Sequence, residues 1–189
     1  MSYPTTPVFN SLAPESNSPT LMSTSVSGRM QSRKVAGQYW SFTASYPPLQ
    51  AADFKPVNSF VVKQGGQHGV FTIVLPVESD TSGTASGVVA STPAVKGAVS
   101  VSVTNLTGTL KDGDFIKFAG HSKVYMITAD RAGAGAMAIA PALVEAVGTE
   151  QVIYNSVPFT VRLAGDAQKW RLGMSGFYKY EVDFIEALS

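Results

Sequence analysis

The 189-residue chain contains no cysteine, which excludes disulfides, thiolate nucleophiles and sulfur-ligated metals at once. Charge is scarce as well. Only 14% of residues are charged, against about 25% in an average globular chain. Fourteen basic and 13 acidic side chains leave a formal charge of +1, so there is no cationic footprint for gripping duplex DNA or an anionic membrane. No run approaches 18 consecutive apolar residues, and the first twenty lack a basic start followed by an apolar stretch. Neither a membrane span nor a signal peptide is expected. What is there suffices for a core: 44% of residues are hydrophobic, in a chain long enough to bury about 70% of its unfolded surface. Weak mutual repulsion also permits copies to associate.

Residues 1–20 are dominated by Pro, Ser, Thr and Asn, which predicts a mobile arm that Val8, Phe9 and Leu12 could dock on a neighbour. From Arg33 to Tyr46 the apolar residues Ala36, Trp40, Phe42, Ala44 and Tyr46 share one parity, which predicts a strand. Beyond Pro47-Pro48, Leu49, Phe54, Val57, Phe60 and Val61 recur at helical spacing, interrupted by Pro56 and ended by Gly65-Gly66. This is the single helix expected. Val70–Leu75 predicts a second strand.

The segment 79–152 differs in composition, rich in Ala, Val, Gly, Ser and Thr with turn signals every eight to twelve residues, and predicts five or six short strands. After it, the aromatic-rich alternation of residues 33–75 returns. Pro158–Leu163, Lys169–Leu172 and the alternating FYKYEVDFIEAL, with Tyr178, Tyr180, Val182 and Phe184 on one face, predict three more strands. The reading is a mainly β chain with one α-helix: an arm (1–20), a discontinuous β domain (21–78 with 153–189) and an inserted β domain (79–152).

Catalytic and cofactor signals are thin. His68 and His121 lie beside glycines in predicted turns, with no partner at metal-ligand spacing, so no metal site is expected. Ser122 next to His121 lacks a nucleophile elbow. Gly133–Ala138 matches a loose dinucleotide pattern without its strand-helix context and reads as a hairpin turn. Asn105-Leu106-Thr107 is a chance glycosylation triplet, and Asp112 and Asp114 in KDGDF read as a tight turn rather than a calcium or acid-base pair. Tyr39, Trp40, Phe42, Tyr46, Trp170, Tyr178 and Tyr180 form either a sugar-stacking surface or, by their alternation, a core. No catalytic residue, metal or cofactor is assigned, and no enzyme activity is expected.

Several fragments in order carry a resemblance: TTPVFNS (5–11), SRKVAGQYWSFTASYPPL (32–49), QGGQHGVFTIVLP (64–76), LKDGDFIKFAGHSKVYMITAD (110–130) and FYKYEVDFIE (177–186). The chain resembles distal tail proteins of long-tailed, non-contractile (siphovirus-type) bacteriophages. The resemblance implies a tail-tube-like β-sandwich or split barrel carrying an inserted small β-barrel-like domain. It further implies a structural virion protein in the tail tip or baseplate, made and assembled in the host bacterial cytoplasm. Such a protein forms a ring, a homohexamer, that joins the tail tube protein to the tip hub protein. The genome passes through without specific binding, and no membrane is engaged. The insert is then a spacer or docking module, or a holder of host glycans, for which Phe115, Phe118, Tyr125 and Tyr154 supply the large aromatics. The alternatives are a carbohydrate-binding β module and another tail component, tube or terminator.

Overall fold

The computed structural model describes residues 1–35 and 37–188. Its elements are β1 (Ser11–Asn17), β2 (Thr20–Thr24), β3 (Met30–Lys34), β4 (Tyr39–Ser45), α1 (Ala51–Lys63), β5 (Phe71–Val74), β6 (Val89–Ala90), β7 (Ser100–Thr104), β8 (Thr109–Leu110), β9 (Phe115–Phe118), β10 (Val124–Ile127), β11 (Arg131–Ala132), β12 (Gly135–Ala140), β13 (Val152–Ile153), β14 (Pro158–Leu163), β15 (Trp170–Leu172) and β16 (Tyr178–Glu186). The chain is mostly β with a single α-helix, as its patterning predicts. Two compact units divide it: Pro4–Phe71 with Val161–Ala187, and Met1–Tyr3 with Thr72–Thr160 and Leu188. The chain passes between them inside β5 and inside β14.

In the first unit, a six-stranded sheet runs β1-β4-β16-β14-β5, with β15 added to β16. Its strongest strands alternate as period two requires. Trp40, Phe42, Ala44 and Tyr46 are buried, and so are Tyr180, Val182 and Phe184, while Lys179, Glu181 and Asp183 face water. Helix α1 buries Phe54, Val57 and Val61, one stripe of the spacing read from sequence. Asp53 in its first turn and Lys63 in its last complement the helix dipole. Pro56 sits inside the helix on its exposed side, where water can serve the carbonyl left without a helical donor. Gly65, at φ 65°, closes it. Aromatic rings bind helix to sheet: Phe54 stacks on Tyr178 at 4.3 Å and meets Tyr180 edge-on at 5.4 Å.

Two expectations need correction here. The strand read over Arg33–Tyr46 is two strands, β3 and β4, interrupted near Gly37 at φ 102°, a conformation that a residue with Cβ rarely adopts. Ala36, counted above on its apolar face, lies outside the described residues. Residues 1–20, where composition predicts a mobile arm, include β1, which pairs along its length with β4 from Ser11↔Ser45 to Asn17↔Tyr39. Phe9 packs on Tyr46 at 4.9 Å. Strand pairing draws on backbone donors and acceptors, which apolar content does not report.

In the second unit, strands β13-β9-β10-β12-β7-β6 form a six-stranded sheet. Its two ends meet. Val89 bridges Gln151, Ala90 N–H donates to Glu150 O at 2.9 Å, and Val152 N–H donates to Val88 O at 3.1 Å. This near closure into a barrel covers most of the free edge that an open sheet of short strands would expose. The interior is filled by Val101, Val103, Ile116, Phe118, Tyr125, Ile127, Met137 and Ile139. Eight strands, β6 to β13, occupy the segment for which five or six are predicted. The extra pair, β8 with β11, is only two residues long and carries no readable alternation. All four residues of β9 are buried. Its outer face is covered because Phe115 meets Phe159 edge-on at 5.2 Å and Lys117 Nζ donates to Pro158 O at 2.9 Å and Thr160 Oγ1 at 3.0 Å.

The entry and exit of this barrel lie side by side. Val157 N–H donates to Ser79 O at 2.9 Å, Ser156 N–H to Asp80 Oδ1 at 2.7 Å, and Thr81 N–H to Asn155 Oδ1 at 3.2 Å.

Candidate assembly interface

β1 to β4 form one long two-stranded ribbon. Its inner half, β1 with β4, lies in the sheet. Its outer half, β2 with β3, pairs from Thr20↔Lys34 to Thr24↔Met30 and runs on alone for about 17 Å. Every residue of β2 and β3 is exposed, including Leu21, Met22 and Met30, and Val26 at the tip is fully exposed. The tip turn is local: Ser25 N–H donates to Arg29 O at 2.9 Å, Gly28 N–H to Ser25 O at 2.9 Å, and Arg29 N–H to Ser25 Oγ at 3.2 Å, with Gly28 at φ 78°. An isolated two-stranded hairpin is marginally stable in water. This one also presents apolar side chains, the mark of a surface meant to be covered. Residues 21–32 carry no strong alternation, so periodicity predicts no strand there. The signal that could have found the hairpin is the Ser25–Gly28 turn between Leu21-Met22 and Met30.

The outward face of the sheet has different chemistry. Thr43 Oγ1 donates to Asp183 Oδ1 at 2.7 Å, Ser41 Oγ to Glu15 Oε2 at 3.3 Å, and Asn17 Nδ2 to Ser41 Oγ at 2.7 Å. Ser11 and Ser45 share a hydroxyl hydrogen bond of 2.7 Å. Register sets Glu15 beside Ser41, Asp183 beside Thr43, and Glu181 beside Ser45, giving a hydroxyl-rich face with three carboxylates. Edge strand β1 carries Pro14 and Glu15, residues that discourage the addition of a further strand. Along β15 the sign changes: Arg171 sits directly opposite Lys179, a like-charge pair. They border a groove of about 700 Å³ that Tyr46, Pro48, Trp170 and Tyr180 also line. Trp170 is half exposed, while the Tyr180 hydroxyl is buried without a hydrogen-bond partner among the described residues. Burial, with Tyr46 alongside, pushes the Tyr180 phenol up.

The sequence-derived candidates do not converge. His68 lies in a short 3-10 turn, Gly66–His68, of the first unit, and His121 lies in the β9–β10 turn of the barrel, its ring against Phe118. Ser122 follows it in that turn. Gly133 and Ala134 form the β11–β12 turn, and a strand rather than a helix follows. Asn105, at φ 58°, turns the chain between β7 and β8. Trp40, Phe42 and Tyr46 are core residues, as the alternation favours. In the barrel unit, Phe115, Phe118 and Tyr125 are buried, and Tyr154 is half-buried with its hydroxyl accepting Gly87 N–H at 3.1 Å. The expectation that Tyr125 could stack on a sugar is therefore wrong: it fills the barrel, where its apolar ring is worth most.

Asp114 is a buried loop organiser. It accepts hydrogen bonds from Ser82 N–H at 2.9 Å, Ser82 Oγ at 2.7 Å, Lys111 N–H at 2.9 Å and Thr81 Oγ1. Asp112 does not join it; its N–H instead donates to Asp130, which also pairs with Lys111 at 2.7 Å. Burial alone would raise the Asp114 carboxyl, but the donors from Thr81, Ser82 and Lys111 outweigh it and hold the group below its ordinary value. A depressed folded-state pKa contributes stability above the unfolded value, about 3.9, and that contribution is lost as pH falls through the folded value. Asp114→Asn should cost about 1–3 kcal/mol at pH 7 and flatten the fall in barrel stability below pH 4. Thermal melts of both proteins from pH 2 to 7 check this; parallel curves would remove the role.

An exposed hairpin, a hydroxyl- and carboxylate-bearing sheet face and a barrel whose Phe115, Phe118 and Tyr125 are all buried offer surfaces for other proteins rather than a ligand site. Family models agree. One described as the distal tail protein pb9 A domain, N-terminal, matches residues 3–77, and one described as the distal tail protein pb9 B domain matches 78–157. The distal tail protein pb9 of Escherichia phage T5 is 27% identical over 182 residues, covering 90% of this chain and 87% of the relative. The chain belongs to the family of phage distal tail proteins and is a structural component of a phage tail.

Proposed function

We propose that the protein forms a closed ring of six copies at the distal end of a tail tube, between the tube protein and the tip hub protein, with a channel for the genome. Family membership supports the location. The observation that carries self-assembly is the β2–β3 hairpin, a ribbon whose every residue is exposed, with Leu21, Met22 and Met30 among them. A hairpin on one side of a subunit that meets a different surface on the next copy is a heterologous contact, the kind that closes rings. Near-zero net charge suits a channel that must release DNA, since a basic lining would hold phosphates by counterion release. The ring-forming body is the discontinuous one, 21–78 with 153–189, and 79–152 is an insert in it. The adjacent strands at Ser79–Thr81 and Asn155–Val157 support this, as does the boundary between the two family matches.

Images of tail particles labelled through the insert should place the protein in a ring at the tube end. Label along the whole tube, or absent from the tip, would overturn the reading. Replacing 79–152 by a short Gly-Ser link should leave a folded body with strand-rich circular dichroism, because the cut ends already lie together. An unfolded product would show that 79–152 is not an insert.

A further inference from the structure

The hairpin carries only cations, and the part of the outward sheet face around β1 and β4 carries carboxylates. Thr20–Lys34 holds three cations, Arg29, Arg33 and Lys34, and no acid. Around β1 and β4 the sheet face holds Glu15, Asp183 and Glu181, while Lys179 with Arg171 at one end and Arg162 on β14 put cations at its borders. The Glu181 carboxylate has no hydrogen bond or ion pair among the described residues, and with Asp183 and Lys169 it borders a hollow of about 330 Å³ that Gly165, Ala167 and Gln168 also line. Arg33 lies on β3, and Arg29 precedes that strand in the tip turn, four positions away. On the sheet, Glu15 of β1 lies beside Ser41, and Asp183 and Glu181 of β16 lie beside Thr43 and Ser45 on the other side of β4.

We propose that the β2–β3 hairpin of one copy lies across the outward face of β1, β4 and β16 of the next copy, with Arg29 and Arg33 meeting the carboxylates of Glu15, Asp183 and Glu181. The hydroxyls of Ser11, Ser41 and Ser45 supply hydrogen-bonding partners for the ribbon's polar side chains, and Leu21, opposite Arg33 in register, lies against that face. The groove at Trp170 adjoins this seat through Ser45 and Glu181, and its Lys169, Arg171 and Lys179 would repel the same cations, which favours the β1 side of the face. The contact is head-to-tail, since hairpin and face are different surfaces, and it repeats from copy to copy. This inference rests on the self-assembling ring of the proposed function and names its contact surfaces.

A charge-swap experiment on the full chain tests it. Association of the wild type, Arg29→Glu/Arg33→Glu, Glu15→Lys/Glu181→Lys, and the combination of all four changes is measured by sedimentation at about 0.15 M salt. All four side chains are exposed, so the fold should survive, and circular dichroism melts within a few degrees of wild type verify it. Either double change should weaken association at least tenfold, and the combination should restore it to within about threefold of wild type. If the wild type assembles and neither double change weakens it, or the combination fails to restore it, the docking surface is wrong while the ring stands. A wild type that remains monomeric at every concentration tested overturns both.

Discussion

Val182→Asp is expected to unfold the six-stranded sheet and its helix. Val182 is 1% exposed on β16, in register with Ala44 of β4 and on the buried face shared with Tyr180 and Phe184. A carboxylate there would be surrounded by apolar side chains with no cation or donor to pair with. The cost of several kcal/mol is a large share of the roughly 5–15 kcal/mol that holds a domain together. Both tryptophans, Trp40 and Trp170, belong to this unit, so their emission reports on it. The variant should show the red-shifted emission of solvated tryptophan and no cooperative melt. Native emission with an unchanged melting temperature would place Val182 outside the core.

Tyr125→Ala should melt the barrel instead. The ring is fully buried within the barrel cluster, meets Phe118 at 5.7 Å, and carries a hydroxyl that accepts Val144 N–H at 3.1 Å. Removing a buried aromatic ring costs about 3–5 kcal/mol, and the abandoned N–H adds to it. Tyr125→Phe keeps the ring and should lose only about 1 kcal/mol. The expected result is a lowered transition in far-ultraviolet circular dichroism with tryptophan emission preserved, because neither tryptophan lies in this unit. Equal melting of Tyr125→Ala and wild type would contradict the burial. The same substitution would abolish glycan binding only by unfolding, so loss of a sugar signal in this variant says nothing about stacking.

Where residues report their surroundings through side-chain pattern, the sequence is readable. The alternation in Tyr178–Phe184 and Trp40–Tyr46 marks the buried face of the sheet, and Phe54, Val57 and Val61 mark the helix stripe. The change of composition at residue 79 marks the start of the Ala-, Val- and Gly-rich segment. The hairpin is illegible for the opposite reason: β2 and β3 bury nothing within the chain, so no period is imposed on them. Edge strand β1 is hidden too, because its pairing uses the main chain while Pro14, Glu15 and Ser16 resemble a loop.

By itself, then, the sequence determined the β class, the lone helix and the family resemblance, because each follows from side chains that local periodicity and order in the chain preserve. Only the tertiary structure decided that the ends of the sheet formed by β6 to β13 meet, that Tyr125 points into its core, and that a fully exposed ribbon and a carboxylate-bearing sheet face belong to the same molecule. Those depend on backbone hydrogen bonds between residues such as Ala90 and Glu150, sixty positions apart, and long-range pairing of that kind leaves no mark in either partner's neighbourhood.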